Sequence, residues 1–77
     1  MEELLVSIAS GLVQNPEAVK VTVDQPNENG VTVLHLSVAE GDMGRVIGKQ
    51  GRIAKAIRTV MRAAANKADM NIAVEID

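Results

Sequence analysis

Arg45-Val46-Ile47-Gly48-Lys49-Gln50-Gly51-Arg52-Ile53 is the segment from which the rest of the chain can be read. An apolar turn leads in, two glycines bend the chain, and a basic helix leaves. Gly48 and Gly51 lack a Cβ, so the backbone can turn through positive φ and a second backbone can come close. The loop ends at a helix N-terminus, where free N–H groups and the helix dipole favour an anion. Lys49 and Arg52 add full positive charge there. Ile47 and Ile53 flank the loop with apolar surface. Phosphate donors beside an apolar shelf suit a phosphodiester strand that carries bases.

The composition narrows the possibilities. Seventy-seven residues make a single domain with a small core. Chains of this size often gain stability by pairing with another chain. Without cysteine there are no disulfides, no thiolate chemistry and no Cys-ligated zinc. The start Met1-Glu2-Glu3-Leu4 is acidic, unlike a secretory signal, and no apolar run approaches ~18 residues. A cytoplasmic location is expected. The chain has no Phe, Tyr or Trp, so bases cannot stack on aromatic rings. Net charge is −2, yet the charge is segregated. Between positions 45 and 67 the chain carries seven basic residues and no acid, whereas the other 54 residues hold one Lys against ten acids.

In chain order, Leu4, Leu5, Ile8 and Leu12 recur at helical spacing and predict a helix over residues 2–14, ended by Asn15-Pro16. Val19 to Asp24 alternates, with Val19, Val21 and Val23 on the inner face of a strand. Gln25 to Gly30 is turn-rich, and Asn29-Gly30 is a hairpin signal. Val31 to Val38 forms the partner strand, with Leu34, Leu36 and Val38 on one face and Val31, Val33, His35 and Ser37 on the other. His35 is the only histidine, with no second His and no Cys to share a metal, so it reads as an ordinary cross-strand neighbour. Asp42 is placed as an N-cap for a helical turn over Met43 to Ile47. A long helix follows from Arg52 to Lys67, about 24 Å for its ~16 residues. Its expected buried stripe is Ile53, Ile57, Val60, Met61, Ala64 and Ala68, with Arg52, Lys55, Arg58 and Arg62 facing water or a ligand. Ala68 to Asn71 connects to a last strand bearing Ile72, Val74 and Ile76. The order is α-β-β-α-α-β. It predicts an α+β fold with a three-stranded mixed sheet and all helices on one face.

Arg45 to Ile53 resembles the Ile-Gly-x-x-Gly-x-x-Ile core of the KH (K-homology) domain, with the single residue Arg52 between the second glycine and Ile53. The element order matches the type II form of that fold, and the resemblance covers residues 1–77 as one KH domain. Gly41 to Ile53, the chain length and the acidic first helix look most like the KhpA family of small stand-alone bacterial KH proteins. The resemblance implies single-stranded RNA binding, with the loop clamping the backbone of about four nucleotides. It would assign Gly48 and Gly51 to close approach of the sugar-phosphate, and Lys49, Gln50 and Arg52 to phosphate. Val46, Ile47 and Ile53 would line the groove under the bases, with Arg45 and Lys55 on the rim. It also implies action as an RNA chaperone or post-transcriptional regulator. The partners it implies are a second copy, as a homodimer, or a larger KH protein of the Jag/KhpB family. The Ala-rich second half of the long helix, with Met61 and Met70, would serve such an interface.

Other chemistries fit poorly. A nucleotide-triphosphate loop needs Gly-x4-Gly-Lys-Ser/Thr, but three residues separate Gly44 from Gly48, and Gln50 stands where a hydroxyl is required. Ser7, Ser10 and Ser37 lack a base, and the acids form no metal-like cluster in sequence, so neither an enzyme nor a resident cofactor is expected. The competing class is a protein-interaction module whose RNA binding is incidental. An intact Lys-Gln between the glycines argues against it.

Overall fold

The computed structural model describes residues Met1–Asp77. The elements are α1 (Glu2–Ser10), β1 (Lys20–Val23), β2 (Thr32–Ser37), α2 (Met43–Ile47), α3 (Arg52–Lys67) and β3 (Ile72–Ile76), with short 3-10 turns at Pro16–Ala18, Glu40–Asp42 and Lys49–Gly51. The sheet order is β1-β2-β3. β1 and β2 pair antiparallel, with Val21 opposite Leu36, and β2 and β3 pair parallel, with Leu34 opposite Val74. The expected mixed sheet is therefore present, and β2 is its central strand.

The helices bury their apolar sides against one sheet face. Leu5 and Ala9 of α1, Val46 of α2, and Ile57 and Met61 of α3 meet Leu34, Leu36 and Val74 in one cluster. Only 11 of the 77 residues are buried, so any contact that covers more apolar surface adds appreciably to stability.

Several boundaries differ from those the periodicity predicts. α1 stops at Ser10 rather than near residue 14. The cause is non-local: the Asp42 carboxylate accepts the backbone N–H of Gln14 at 3.1 Å and of Asn15 at 3.0 Å. Those donors are lost to the helix, and the chain turns before Pro16. Asp42 occupies the residue before α2, as expected of an N-cap, but its side chain caps nothing there. It is 4% exposed, and the Arg45 Nε lies 3.3 Å from its Oδ1.

The buried stripe of α3 is rotated from the expected one. Ala54, Ile57, Met61 and Ala65 are buried, whereas Val60 is 48% exposed and Ala68 is exposed. Two of the four buried positions are alanines, so residue size is a poor guide to the inner face here. Met61 lies in the core rather than on a partner surface, while Met70 is exposed. Val23 shares the inner row with Val21, but lies beyond the packed cluster and is 47% exposed.

Two turns are closed by local polar bonds. Asn27 Oδ1 accepts the N–H of Asn29 and of Val31 in the β1–β2 turn. At the end of α3, Met70 N–H reaches Ala65 O at 2.8 Å and Asp69 N–H reaches Asn66 O at 3.1 Å, with Asp69 at φ 59°. This paired ending reverses the chain within four residues and feeds it into β3.

The Asp42 bonds lead to a stability prediction. Asp42→Ala leaves two backbone donors and Arg45 without their acceptor, and should cost about 2–3 kcal/mol in urea unfolding. Asp42→Asn keeps one acceptor oxygen and should lose roughly half as much.

Candidate nucleic-acid interface

The loop between α2 and α3 is built from backbone conformations that few residues adopt. Gly48 has φ 76° and ψ 175°, a region essentially reserved for glycine. A Cβ there would lie 2.6 Å from Ile53 Cγ1 and 2.9 Å from its Cδ1. The Gly48 main chain thus rests directly on Ile53. Gly51, at φ 74° and ψ 15°, has open space around a hypothetical Cβ, so only its backbone angle requires glycine. Gln50 is also left-handed, at φ 58° and ψ 25°. Gly51 N–H bonds to Gly48 O at 3.2 Å, which closes the loop on itself.

This geometry presents Lys49 and Gln50 to solvent in front of the α3 N-terminus, which has no side-chain cap. Lys49, Arg52 and Lys55 are exposed, and no carboxylate lies within ion-pairing distance of any of them. Arg45 differs. Its acidic partner, Asp42, sits just ahead of the acid-free window, so its charge is already partly used.

The apolar candidates separate. Ile47 is 37% exposed and lies beside the loop. Ile53 is half-buried, with one side under Gly48. Val46 is 0% exposed and belongs to the core cluster. Its expected place under the bases is therefore wrong: one residue along a helical turn rotates the side chain by about 100°, and Ile47 takes the outer position.

Two residues outside the expected set join the site. Lys55, Arg58 and Arg62 are spaced by three and four, so they share one face of α3. That face borders a groove of ≈ 270 Å³ between α3 and β3, lined by Arg58, Met61, Arg62 and residues 72–75. Arg58 Nε donates to Val74 O at 3.2 Å, which fixes the guanidinium against the strand. β3 is an edge strand, so the groove has a free backbone edge along one wall. The spacing from Lys55 was the available clue. What the sequence did not contain was the position of β3 beside that face. Arg52 lies on the other side of α3, at the rim of a second groove. That groove is apolar, ≈ 340 Å³, and lined by Ile8, Leu12, Ile53, Ala56, Ile57 and Val60.

A glycine-bent loop between two helices, joined to this strand order, is the arrangement of a KH domain. The family model for the KhpA/KhpB KH domain matches residues 2–76. The chain belongs to the KhpA/KhpB KH-domain family. Among its relatives, the RNA-binding protein KhpA of Listeria monocytogenes is 53% identical over 77 residues, covering 99% of this chain and 97% of that protein. KhpA of Clostridium acetobutylicum is 53% identical with 99% of each chain covered, and that of Treponema pallidum is 48% identical over 97% of this chain and 91% of its own. Among solved structures, Aquifex aeolicus Era bound to GDP and aluminium fluoride matches with a TM-score of 0.67 at 20% identity. Era in complex with a nucleotide and a 16S ribosomal RNA segment matches with a TM-score of 0.61 at 19% identity. The match covers 97% of this chain but 28% of each Era chain, and at that identity it speaks for the fold alone.

The two glycines should respond differently to substitution. Gly48→Ala combines backbone strain with a collision against Ile53 and should cost roughly 3 kcal/mol or more. Gly51→Ala carries strain only and should cost about 1–2 kcal/mol. Paired chemical-denaturation curves would read the difference.

Proposed function

We propose that this protein binds single-stranded RNA along a track from the Gly48–Gly51 loop down α3 to the β3 edge. The observation that carries the reading is the row of cations with no carboxylate partner: Lys49 in the loop, then Lys55, Arg58 and Arg62 beside the α3–β3 groove. The name shared by the relatives, RNA-binding protein KhpA, supports the choice of ligand. The loop lets the sugar-phosphate run close to the main chain. Lys49 and Gln50 meet phosphate oxygens, and Arg52 adds charge at the helix start. Ile47 and the exposed side of Ile53 offer an aliphatic shelf in place of aromatic rings. The only polar side chains at the α3–β3 groove are Arg58, Arg62 and Glu75, which suits backbone contact more than base selection. A general binder of this kind fits an RNA chaperone or post-transcriptional regulator, acting in the cytoplasm without catalysis.

Self-association would serve the same reading. The apolar groove between α1 and α3 leaves Leu12 37% and Val60 48% exposed. A second copy, or a larger KH protein of the Jag/KhpB family, would cover it. Two loops presented by one dimer would raise affinity for longer RNA. A protein-interaction module with incidental RNA binding is the second reading, and the same groove favours it.

Fluorescence anisotropy with a short single-stranded RNA across a salt series separates the two. The wild type should bind more weakly as salt rises, and a folded Lys49→Asp/Gln50→Asp variant should lose most binding. Arg58→Ala and Arg62→Ala should each flatten the salt slope by about 0.7 while leaving the fold intact. Equal binding by the loop variant would leave the interaction reading in the lead. For the dimer, Val60→Glu should shift the mass measured by light scattering from two chains to one.

A further inference from the structure

The solvent face of the sheet carries a cluster that shares only Glu75 with the RNA track. His35 lies mid-strand on β2, its side chain 25% exposed, and its Nε2 is 2.8 Å from Asp24 Oδ2. Its Nδ1 is 3.5 Å from Glu75 Oε2 and 3.5 Å from Asp77 Oδ2. Three carboxylates converge on one imidazole, and no Lys or Arg lies within ion-pairing distance of any of them. We propose that His35 Nδ1, Glu75 and Asp77 form a binding site for a divalent first-row transition-metal ion such as Zn²⁺, with Asp24 orienting the imidazole.

Four features support the site. First, an ionised carboxylate only accepts hydrogen bonds, so the Asp24 contact places the imidazole proton on Nε2. That leaves the Nδ1 lone pair facing two further carboxylates, an arrangement that either a proton or a metal cation on Nδ1 relieves. A carboxylate that holds the far nitrogen of a ligating histidine is a recurrent companion of metal sites. Second, the three donor atoms lie within 4.8 Å of one another. Tetrahedral donors about 2.0–2.1 Å from zinc stand roughly 3.3 Å apart, close to the observed nitrogen–oxygen separations. Third, the donors are held by backbone pairing. His35 is the register partner of Glu75 across the parallel β2–β3 ladder, and Asp77 N–H bonds to Leu36 O at 2.9 Å. Little backbone reorganisation is needed to bring them together. Fourth, one imidazole nitrogen with two carboxylate oxygens suits zinc and its neighbours better than Mg²⁺ or Ca²⁺, which take oxygen donors.

The same field acts on a proton. The hydrogen bond to Asp24 raises the His35 pKa above its usual value; desolvation opposes this, and the charges of Asp24, Asp77 and Glu75 add to the rise. A bound metal would clip the end of β3 to the centre of the sheet, on the face opposite the helices.

Isothermal titration of the metal-stripped, tag-free full chain with ZnCl₂, at a pH above the imidazole titration, tests the site. One ion per chain and a higher Tm are expected, with no comparable response to MgCl₂. The Glu75→Gln/Asp77→Asn double variant and His35→Gln should each abolish saturation. Asp24→Asn keeps all three ligands and should weaken binding by about 10–100-fold. Glu2→Gln/Glu3→Gln, remote in sequence, should bind as the wild type does. If His35→Gln fails to fold by circular dichroism, the double variant on the exposed strand end decides. Absence of saturable wild-type binding below about 1 mM, or unchanged affinity in the folded double variant, would overturn the site.

Discussion

The Asp42 carboxylate is the constraint on which the arrangement of the helices depends. It is the one charged side chain in the buried set, and such a group is tolerated only when its acceptor capacity is filled. Here the fillers are the Gln14 and Asn15 N–H groups and the Arg45 guanidinium. Those contacts join the exit of α1 to the start of α2 across 27 and 28 residues of sequence. They settle where α1 stops, and they tether the one-turn helix that leads into the loop. A five-residue helix has almost no intrinsic stability. α2 persists because Asp42 precedes it, Val46 anchors it in the core and Gly48 closes it.

From that anchored turn the loop geometry follows. Gly48 turns the chain over Ile53, which leaves no room for a Cβ, and Gln50 and Gly51 complete a left-handed step into α3. The loop's positive-φ backbone is confined to Gly48, Gln50 and Gly51 and held between two helices packed on the same core. Ile53 therefore serves both as the floor of the bend and as part of the apolar surface beside it. This dual use explains why the aliphatic residues flanking the loop cannot all be read as ligand contacts. Val46 belongs entirely to the core, Ile53 is shared, and Ile47 is the one turned outward.

The fold was legible because its elements carry separate periodicities: alternation in Val19 to Val23 and Ile72 to Ile76, helical recurrence in α1 and α3, and a glycine-marked corner between. The loop was legible because only certain residues adopt its angles. What remained hidden was long-range. The end of α1 is set by an acid far along the chain, so local propensity overestimates its length. The inner face of α3 uses Ala54 and Ala65, which a search for large apolar residues passes over in favour of Val60. Arg58 and Arg62 become groove residues only once β3 lies beside them. His35 looked unaccompanied because its companions come from β3 (Glu75) and from the residues just beyond β1 and β3 (Asp24 and Asp77), and meet it only through the sheet register.

The charge segregation visible in the sequence takes on a spatial meaning in the fold. The basic window occupies α2, the loop and α3, which all lie on one side of the sheet. Asp24, Glu75 and Asp77 gather around His35 on the other side. Because β2 is central, the two sides share its backbone while their side chains alternate: Leu34 and Leu36 point to the helices, and His35 between them points away. A polyanion attracted to the loop is therefore not drawn to the opposite face, whose acids repel it. This biases the orientation in which a polyanion meets the domain before any specific contact forms. A small domain with net charge −2 can in this way retain a strongly directional attraction for phosphate, because what the ligand senses at close range is the local field of seven bases rather than the sum over the chain.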